Sequence, residues 1–132
     1  MLENIYIRGI IGGAISLAAY LFGALDALLL ALMAMMGIDF VTGIIKAAVL
    51  KEVTSQKMFL GGARKIGIFF IVAVSNLVDN ILELGGVLRT VTIAYFMANE
   101  AISLLENWSL MGLPIPKKLK DVLIQLRDRG KS

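Results

Sequence analysis

Long runs without charge constrain the fold of this chain more than any other feature. The longest extends from residue 9 to residue 25, and shorter ones cover residues 27–38, 66–78 and 90–99. A helix needs about 20 apolar residues to cross a bilayer, so the shorter runs can cross only if their helices continue through charged positions. We therefore predict an all-α integral membrane protein built of helical hairpins, with about four spans near residues 9–25, 27–49, 65–84 and 87–107.

The composition supports a membrane location and excludes several classes of enzyme. Hydrophobic residues make up 58% of the chain and charged residues 17%, against about 45–50% and 25% in soluble domains. Cysteine and histidine are both absent, which excludes disulfides, Ser-His-Asp and Cys-His catalysis, and zinc sites built on those residues. We expect no enzymatic activity, no metal or cofactor, and no binding to nucleic acid.

Two alternatives remain for the N-terminal half. Residues 9–38 could form one tilted helix, which would leave three spans and an external N-terminus. Such a helix would be about 45 Å long, too long for a core of about 30 Å unless it tilts strongly. The first run could also be a cleaved secretory signal, although no clear Ala-x-Ala-like cleavage site closes it.

The distribution of basic residues predicts the orientation. Lysine and arginine concentrate in the predicted 50–65 loop and after residue 116, whereas the hairpin ends near Asp26 and Gly85 are mainly acidic. Short loops rich in lysine and arginine stay in the cytoplasm. We therefore place the C-terminus and the 50–65 loop of this multi-pass protein in the cytoplasm.

The C-terminal region, residues 111–132, differs from the membrane domain of residues 1–110. It opens with Gly112 and two prolines, which break the preceding helix. Apolar residues then recur at helical spacing opposite a basic face formed by Lys117, Lys118, Lys120, Arg127 and Arg129. This pattern is typical of an amphipathic helix on an anionic inner leaflet, and the alternative is a solubilising tail.

Polar side chains inside the predicted spans are the candidate functional residues, because a charge at the centre of a membrane helix costs about 2.5–3.5 kcal/mol. At 100° per residue they fall on one face of each of three spans. The first span lacks such a face, but Gly9 and Gly13 suit close helix packing, as does Gly43 in the second. The polar candidates are Asp39, Thr42 and Lys46, then Asn76 and Asp79, and finally Arg89, Asn99, Glu100, Ser103, Glu106 and Asn107.

Three interpretations of these polar faces are open. They could pair within one bundle, form seams between subunits that line water in a second state, or form a substrate or proton path. Glu100 could titrate, bond to Ser103, or pair with a cation on a neighbouring helix. Asp39, Lys46 and Glu100 are the candidates for sensitivity to membrane potential.

Three sequence blocks resemble the toxin-secretion and phage-lysis holin family. The most specific runs from Asn99-Glu100 through Ser103 and Glu106-Asn107 to Gly112, Pro114 and Pro116. The others are Asp39-Phe-Val-Thr42-Gly43 with Lys46 and Ala47, and Ser55 followed by Gly61 and Lys65.

This resemblance implies a small phage or prophage protein that oligomerises with itself in the bacterial cytoplasmic membrane. The resulting lesions would release an endolysin or a large toxin, without necessary direct contact, and lyse the host cell. An antiholin is a possible partner, and an antiholin-like role is itself an alternative. A small selective channel or transporter subunit is the other alternative.

Overall fold

The computed structural model describes residues 1–131, which form five helices and no strand. This confirms the all-α fold class. The helices are α1 (Leu2–Phe22), α2 (Ala27–Val49), α3 (Ser55–Ile81), α4 (Val87–Leu110) and α5 (Lys117–Lys131).

Three helices, α1, α2 and α3, are long and apolar enough to cross a membrane. Helix α4 has 24 residues, about 36 Å at 1.5 Å per residue, but it is not among them. Its polar side chains lower its hydropathy. Composition therefore supports three crossing helices, and the fourth predicted span depends on how α4 packs.

The first two helices are separate. Helix α1 ends at Phe22, and Asp26 caps α2 by accepting a hydrogen bond from the Leu29 backbone N–H at 3.0 Å. An aspartate at this position satisfies one of the free N–H groups of a helix start. The alternative of one continuous helix over residues 9–38 is therefore wrong.

The loop predicted over residues 50–65 is wrong in extent, because α3 begins at Ser55 and only residues 50–54 connect it to α2. Thr54 caps α3 by accepting a hydrogen bond from the Lys57 backbone N–H at 3.2 Å. Of the basic residues that suggested a loop, Lys51 lies in this connection, whereas Lys57, Arg64 and Lys65 lie on about the first three turns of α3. Long side chains at the start of a helix can reach out of the apolar layer.

The buried core joins α2, α3 and α4. Leu29, Leu32 and Met36 of α2 pack with Val72 of α3 and Ile93 of α4. Helix α1 differs, because residues 1–20 are all exposed and burial begins only at its last turn. There the Phe22 ring packs edge-on against Phe69 of α3, with the ring centroids 5.9 Å apart. Helix α1 is thus attached to the bundle by its C-terminal end.

Helix α5 follows a non-helical break at residues 111–116 and folds back on α4. Leu123 and Leu126 line a small apolar cavity of about 160 Å³ together with Met97, Ala98 and Ala101. The amphipathic helix is therefore present, but part of its apolar face contacts the bundle. Its contact with an anionic leaflet stays a prediction.

Candidate functional site

Two polar clusters lie on opposite sides of the apolar core. The first, called here the Lys65 cluster, joins α2, α3 and α4 and consists of Asp39, Thr42, Lys65, Glu100 and Asn107. The second, the Arg89 cluster, lies where α1 ends and α2 and α4 begin, and consists of Asp26, Asn76, Asp79 and Arg89.

The Lys65 cluster is an ion triad with amide and hydroxyl support. The Lys65 Nζ donates to Asp39 Oδ2 at 2.8 Å and also to the Glu100 carboxylate. The Asn107 amide donates to Asp39 Oδ1 and to Thr42 Oγ1, both at 3.2 Å. One lysine from α3 therefore connects a carboxylate of α2 to a carboxylate of α4.

Burial makes this triad energetically important. The side chains of Lys65, Asp39 and Glu100 are 17%, 11% and 10% exposed. Charges removed from water lose several kcal/mol of hydration each, which only close partners recover. Two carboxylates share one ammonium here, so two formal negative charges face one formal positive charge inside the bundle.

Lys65 was missed as a site residue because it was assigned to the predicted loop at the start of the third span. The spacing of residues in the sequence nevertheless indicated Lys65. Lys65, Val72, Asn76 and Asp79 are separated by seven, four and three residues, which places them within about 60° on one helix face. The predicted third span, 65–84, already begins at Lys65, so applying this spacing from its first residue places Lys65 on the same face as the predicted polar residues.

The Arg89 cluster closes the end of α1. The Arg89 side chain donates from Nε to the Phe22 carbonyl and from Nη2 to the Ala24 carbonyl, each at 2.8 Å. The Asn76 amide donates to the carbonyls of Tyr20 and Leu21 at 3.1 and 3.0 Å. The carbonyls at the end of a helix lack hydrogen-bond donors within the helix. Here the side chains of Asn76 and Arg89, from two other helices, donate to them.

Asp26 also belongs to this cluster, although the sequence indicated only a turn there. Its Oδ2 accepts a hydrogen bond from Arg89 Nη1 at 2.8 Å. The Arg89 guanidinium, together with the Leu29 N–H, holds the pKa of the Asp26 carboxyl below its ordinary value. The lowered pKa means that this ion pair persists to more acidic pH than a free aspartate would allow.

Asp79 caps α4 from the end of α3. Its two carboxylate oxygens accept hydrogen bonds from the backbone N–H groups of Gly86, at 2.7 Å, and Arg89, at 2.9 Å. Gly86 has a φ of +87°, a conformation that side chains disfavour. The acidic hairpin end predicted from the sequence therefore has a structural role as a helix cap.

Gly23 is required by the close approach of Arg89. Its φ is +78°, and a Cβ on it would lie 2.8 Å from Arg89 Nε and 2.9 Å from Asn76 Oδ1. A side chain at this position would displace both donors from the end of α1. Glycine here is therefore part of the Arg89 cluster.

The remaining predicted residues do not join either cluster. Lys46 and Ser103 line a cleft beside the Lys65 cluster, Asn99 is half-buried, and Glu106 is exposed. A Cβ on Gly43 would lie 3.8 Å from Asn107 Nδ2, so this glycine is at a helix contact, whereas Gly9 and Gly13 have no such neighbour within 4 Å. Within residues 1–131, no group of three acidic side chains is arranged to hold a metal ion.

A family model described as "Bacteriophage holin family" matches residues 16–128 of the chain. The chain belongs to the bacteriophage holin family. The match covers both polar clusters and α5 almost to its end. Family membership makes it a membrane protein without enzymatic activity.

Several relatives extend this finding. A "Probable holin" of Bacillus phage phi105 is 41% identical over 105 residues, covering 80% of this chain and 77% of the relative. An uncharacterised 14.9 kDa protein from the nagH 3′ region of Clostridium perfringens is 37% identical, covering 97% and 99%. The uncharacterised YqxH protein of Bacillus subtilis is 39% identical, covering 79% and 74%. No solved structure matches the chain.

Proposed function

We propose that this holin-family protein oligomerises in the bacterial cytoplasmic membrane and opens lesions through which an endolysin reaches the cell wall. The Lys65 cluster is the observation that carries this proposal. A membrane anchor has no need for charged side chains buried between three helices. In a protein that changes between a closed bundle and a water-filled hole, the same side chains can pair in the bundle and be hydrated in the hole.

The proposed topology has the C-terminus and residues 50–54 in the cytoplasm, with α4 crossing the membrane beside α2. Helix α4 supports this, because Arg89 near its start and Asn107 near its end belong to clusters on opposite sides of the core. The basic residues of the early α3 turns and of the first turn of α5 then lie on the positive, cytoplasmic side.

The proposed mechanism is a population shift between two arrangements. At low protein density, the polar faces of α2, α3 and α4 pair within one bundle, as in the structure. At high density the helices separate and the same side chains face the water of the hole, where hydration replaces their ion pairs. In the closed bundle, the hydration that the buried charges lose offsets most of their attraction to each other. The closed and open arrangements can therefore have similar free energies.

The exposed surface of α1 supplies the proposed subunit contact. Its residues 1–20 are exposed, and Gly9 and Gly13 lie one turn apart with open space around them. Small residues at this spacing allow helix backbones to approach closely in lipid. The released cargo, an endolysin or a large toxin, needs no contact with this protein, and an antiholin could occupy the same α1 surface.

Membrane potential would bias the equilibrium between the two arrangements. One charge moved across 100 mV changes the free energy by about 2.3 kcal/mol. The excess carboxylate of the Lys65 cluster is a charge whose position would change on opening. We therefore expect the lysis time to change when the potential is collapsed.

Coexpression with a cytoplasmic peptidoglycan hydrolase tests the proposal. The expected result is abrupt lysis after a delay, together with release of a folded cytoplasmic reporter protein. The control expresses the hydrolase alone. Continued growth would contradict the proposal and favour an inhibitory role, and passage of ions without the reporter would favour a small selective channel.

Glu100→Gln is expected to delay lysis in this assay. The substitution removes the excess negative charge from the closed cluster and also removes a carboxylate that hydration would stabilise in the hole. A net change on the order of 1.4 kcal/mol would lower the open population about tenfold. Lysis time at equal membrane level is the measurement.

The matched control for this prediction is Glu106→Gln, which removes the same charge from an exposed position on the same helix. We expect lysis time to stay at the wild-type value in this control. Equal lysis times for the wild type and Glu100→Gln would exclude Glu100 from the switch.

A further inference from the structure

A cleft of about 350 Å³ opens beside the Lys65 cluster, between the second half of α2, the start of α3 and the end of α4. Its lining carries four cations against three carboxylates, and its polar residues include Lys46, Arg64 and Ser103. Its apolar lining includes Phe40, Ile44 and Met58. The cleft therefore combines a charged part with an apolar wall, as the boundary between headgroups and acyl chains requires.

The cations of the cleft are unevenly partnered. Lys65 is bound by two carboxylates, and the Lys57 Nζ lies 3.8 Å from Glu52. Lys46 and Arg64 have no hydrogen bond or ion pair within residues 1–131. Two positive charges of the cleft thus remain available to an external anion.

Lys46 is the more informative of the two, because it is half-buried on a helix whose other charged residue, Asp39, is bound to Lys65. A charged residue at this depth normally pairs with another group or faces water. It lies three residues before the end of α2 at Val49, close to the level of the lipid headgroups. The chain supplies no carboxylate to it, since those of Asp39 and Glu100 are bound to Lys65.

Phosphate is the anion that fits this arrangement. A guanidinium and an ammonium together bind phosphate oxygens through strong charge-assisted hydrogen bonds, and the Ser103 hydroxyl can add a neutral one. The apolar lining is suited to the first part of an acyl chain. Basic pockets between membrane helices on the cytoplasmic side are a common form of anionic headgroup site.

We propose that this cleft binds the phosphate headgroup of an anionic phospholipid, with Lys46 and Arg64 contacting the phosphate and Ser103 donating to it. The acyl chains then lie along Phe40, Ile44 and Met58. This site is separate from the basic face of α5, and the proposal does not depend on the formation of lesions.

Lipid retention by the purified full-length protein tests this site. The protein in detergent is titrated with phosphatidylglycerol or phosphatidylcholine, and bound lipids are counted by native mass spectrometry. We expect the wild type to retain phosphatidylglycerol in preference. The double variant Lys46→Gln/Arg64→Gln is expected to lose about tenfold or more of this affinity.

The matched control is Arg8→Gln/Lys51→Gln, which removes one arginine and one lysine at exposed positions outside the cleft and should retain wild-type affinity. Arg64→Gln alone, at an exposed position, should give part of the loss with an unchanged unfolding temperature. Equal losses in the two double variants would overturn the proposal. Equal retention of both lipids would overturn it too, as would displacement of phosphatidylglycerol by millimolar inorganic phosphate, which would identify a free-phosphate site.

Discussion

Lys65→Met is expected to destabilise the helix bundle by about 3–5 kcal/mol, the cost of leaving buried charges without their partner. Lys65 is the cation that connects the Asp39 and Glu100 carboxylates. Without it, two negative charges from α2 and α4 would face each other in a weakly polar interior, and the helices would separate or the carboxylates would take up protons. Unfolding temperature in detergent and folded protein level in the membrane are the measurements.

Two variants accompany this experiment. Lys57→Met removes an exposed cation from the same helix, and its effect should stay within about 0.5 kcal/mol of the wild type. Adding Asp39→Asn and Glu100→Gln to Lys65→Met removes the uncompensated charges and should recover most of the stability. Equal stability of Lys65→Met and Lys57→Met would contradict the assignment of the triad.

Arg89→Gln is expected to release α1 from the bundle. The substitution removes the donors to the Phe22 and Ala24 carbonyls and the ion pair with Asp26. A carbonyl left without a partner away from water costs up to about 1–3 kcal/mol. The Asn76 hydrogen bonds to the Tyr20 and Leu21 carbonyls would then carry most of the attachment of α1. The chain has no native cysteine, so a Phe22→Cys/Phe69→Cys pair bridged by a short bis-thiol reagent can report the attachment.

Cross-linking of this pair should be efficient with Arg89 and fall at least severalfold with Arg89→Gln. Arg89→Lys should give an intermediate result, because an ammonium keeps the charge but lacks the planar fork of donors. Arg8→Gln, an exposed position on α1, should cross-link as the unmodified pair does. Unchanged cross-linking in Arg89→Gln would show that the Asn76 hydrogen bonds to the Tyr20 and Leu21 carbonyls hold α1 without Arg89.

Much of the fold could be predicted because helix breaks have local causes. The starts of α2 and α4 followed from Asp26 and the Gly85–Gly86 pair, and the end of α4 followed from the Gly112–Pro116 segment, because each acts on the adjacent backbone. The start of α3 was wrong by ten residues, since the cations before residue 65 are compatible with either a loop or the exposed first turns of a capped helix.

For the candidate site, the sequence could predict the helix face on which each residue lies but not the residue that it contacts. Helical spacing placed Asp39, Thr42, Glu100 and Asn107 on the correct sides of their helices, but it could not specify which cation would reach them. Lys46 lies on the same face of α2 as Asp39, and yet Asp39 pairs with Lys65 from another helix. Side chains two turns apart on one helix are about 10 Å apart along its axis, whereas packed helices bring side chains into direct contact.

The sequence by itself determined the class of protein, the positions of the helix breaks near residues 26, 85 and 112, and the family, because these depend on composition and local motifs. Only the tertiary structure decided the partners of the charged residues. It paired Lys65 with Asp39 and Glu100, and Arg89 with the end of α1. The reason is physical: a helix period specifies the direction of a side chain, while helix rotation and packing specify what it meets.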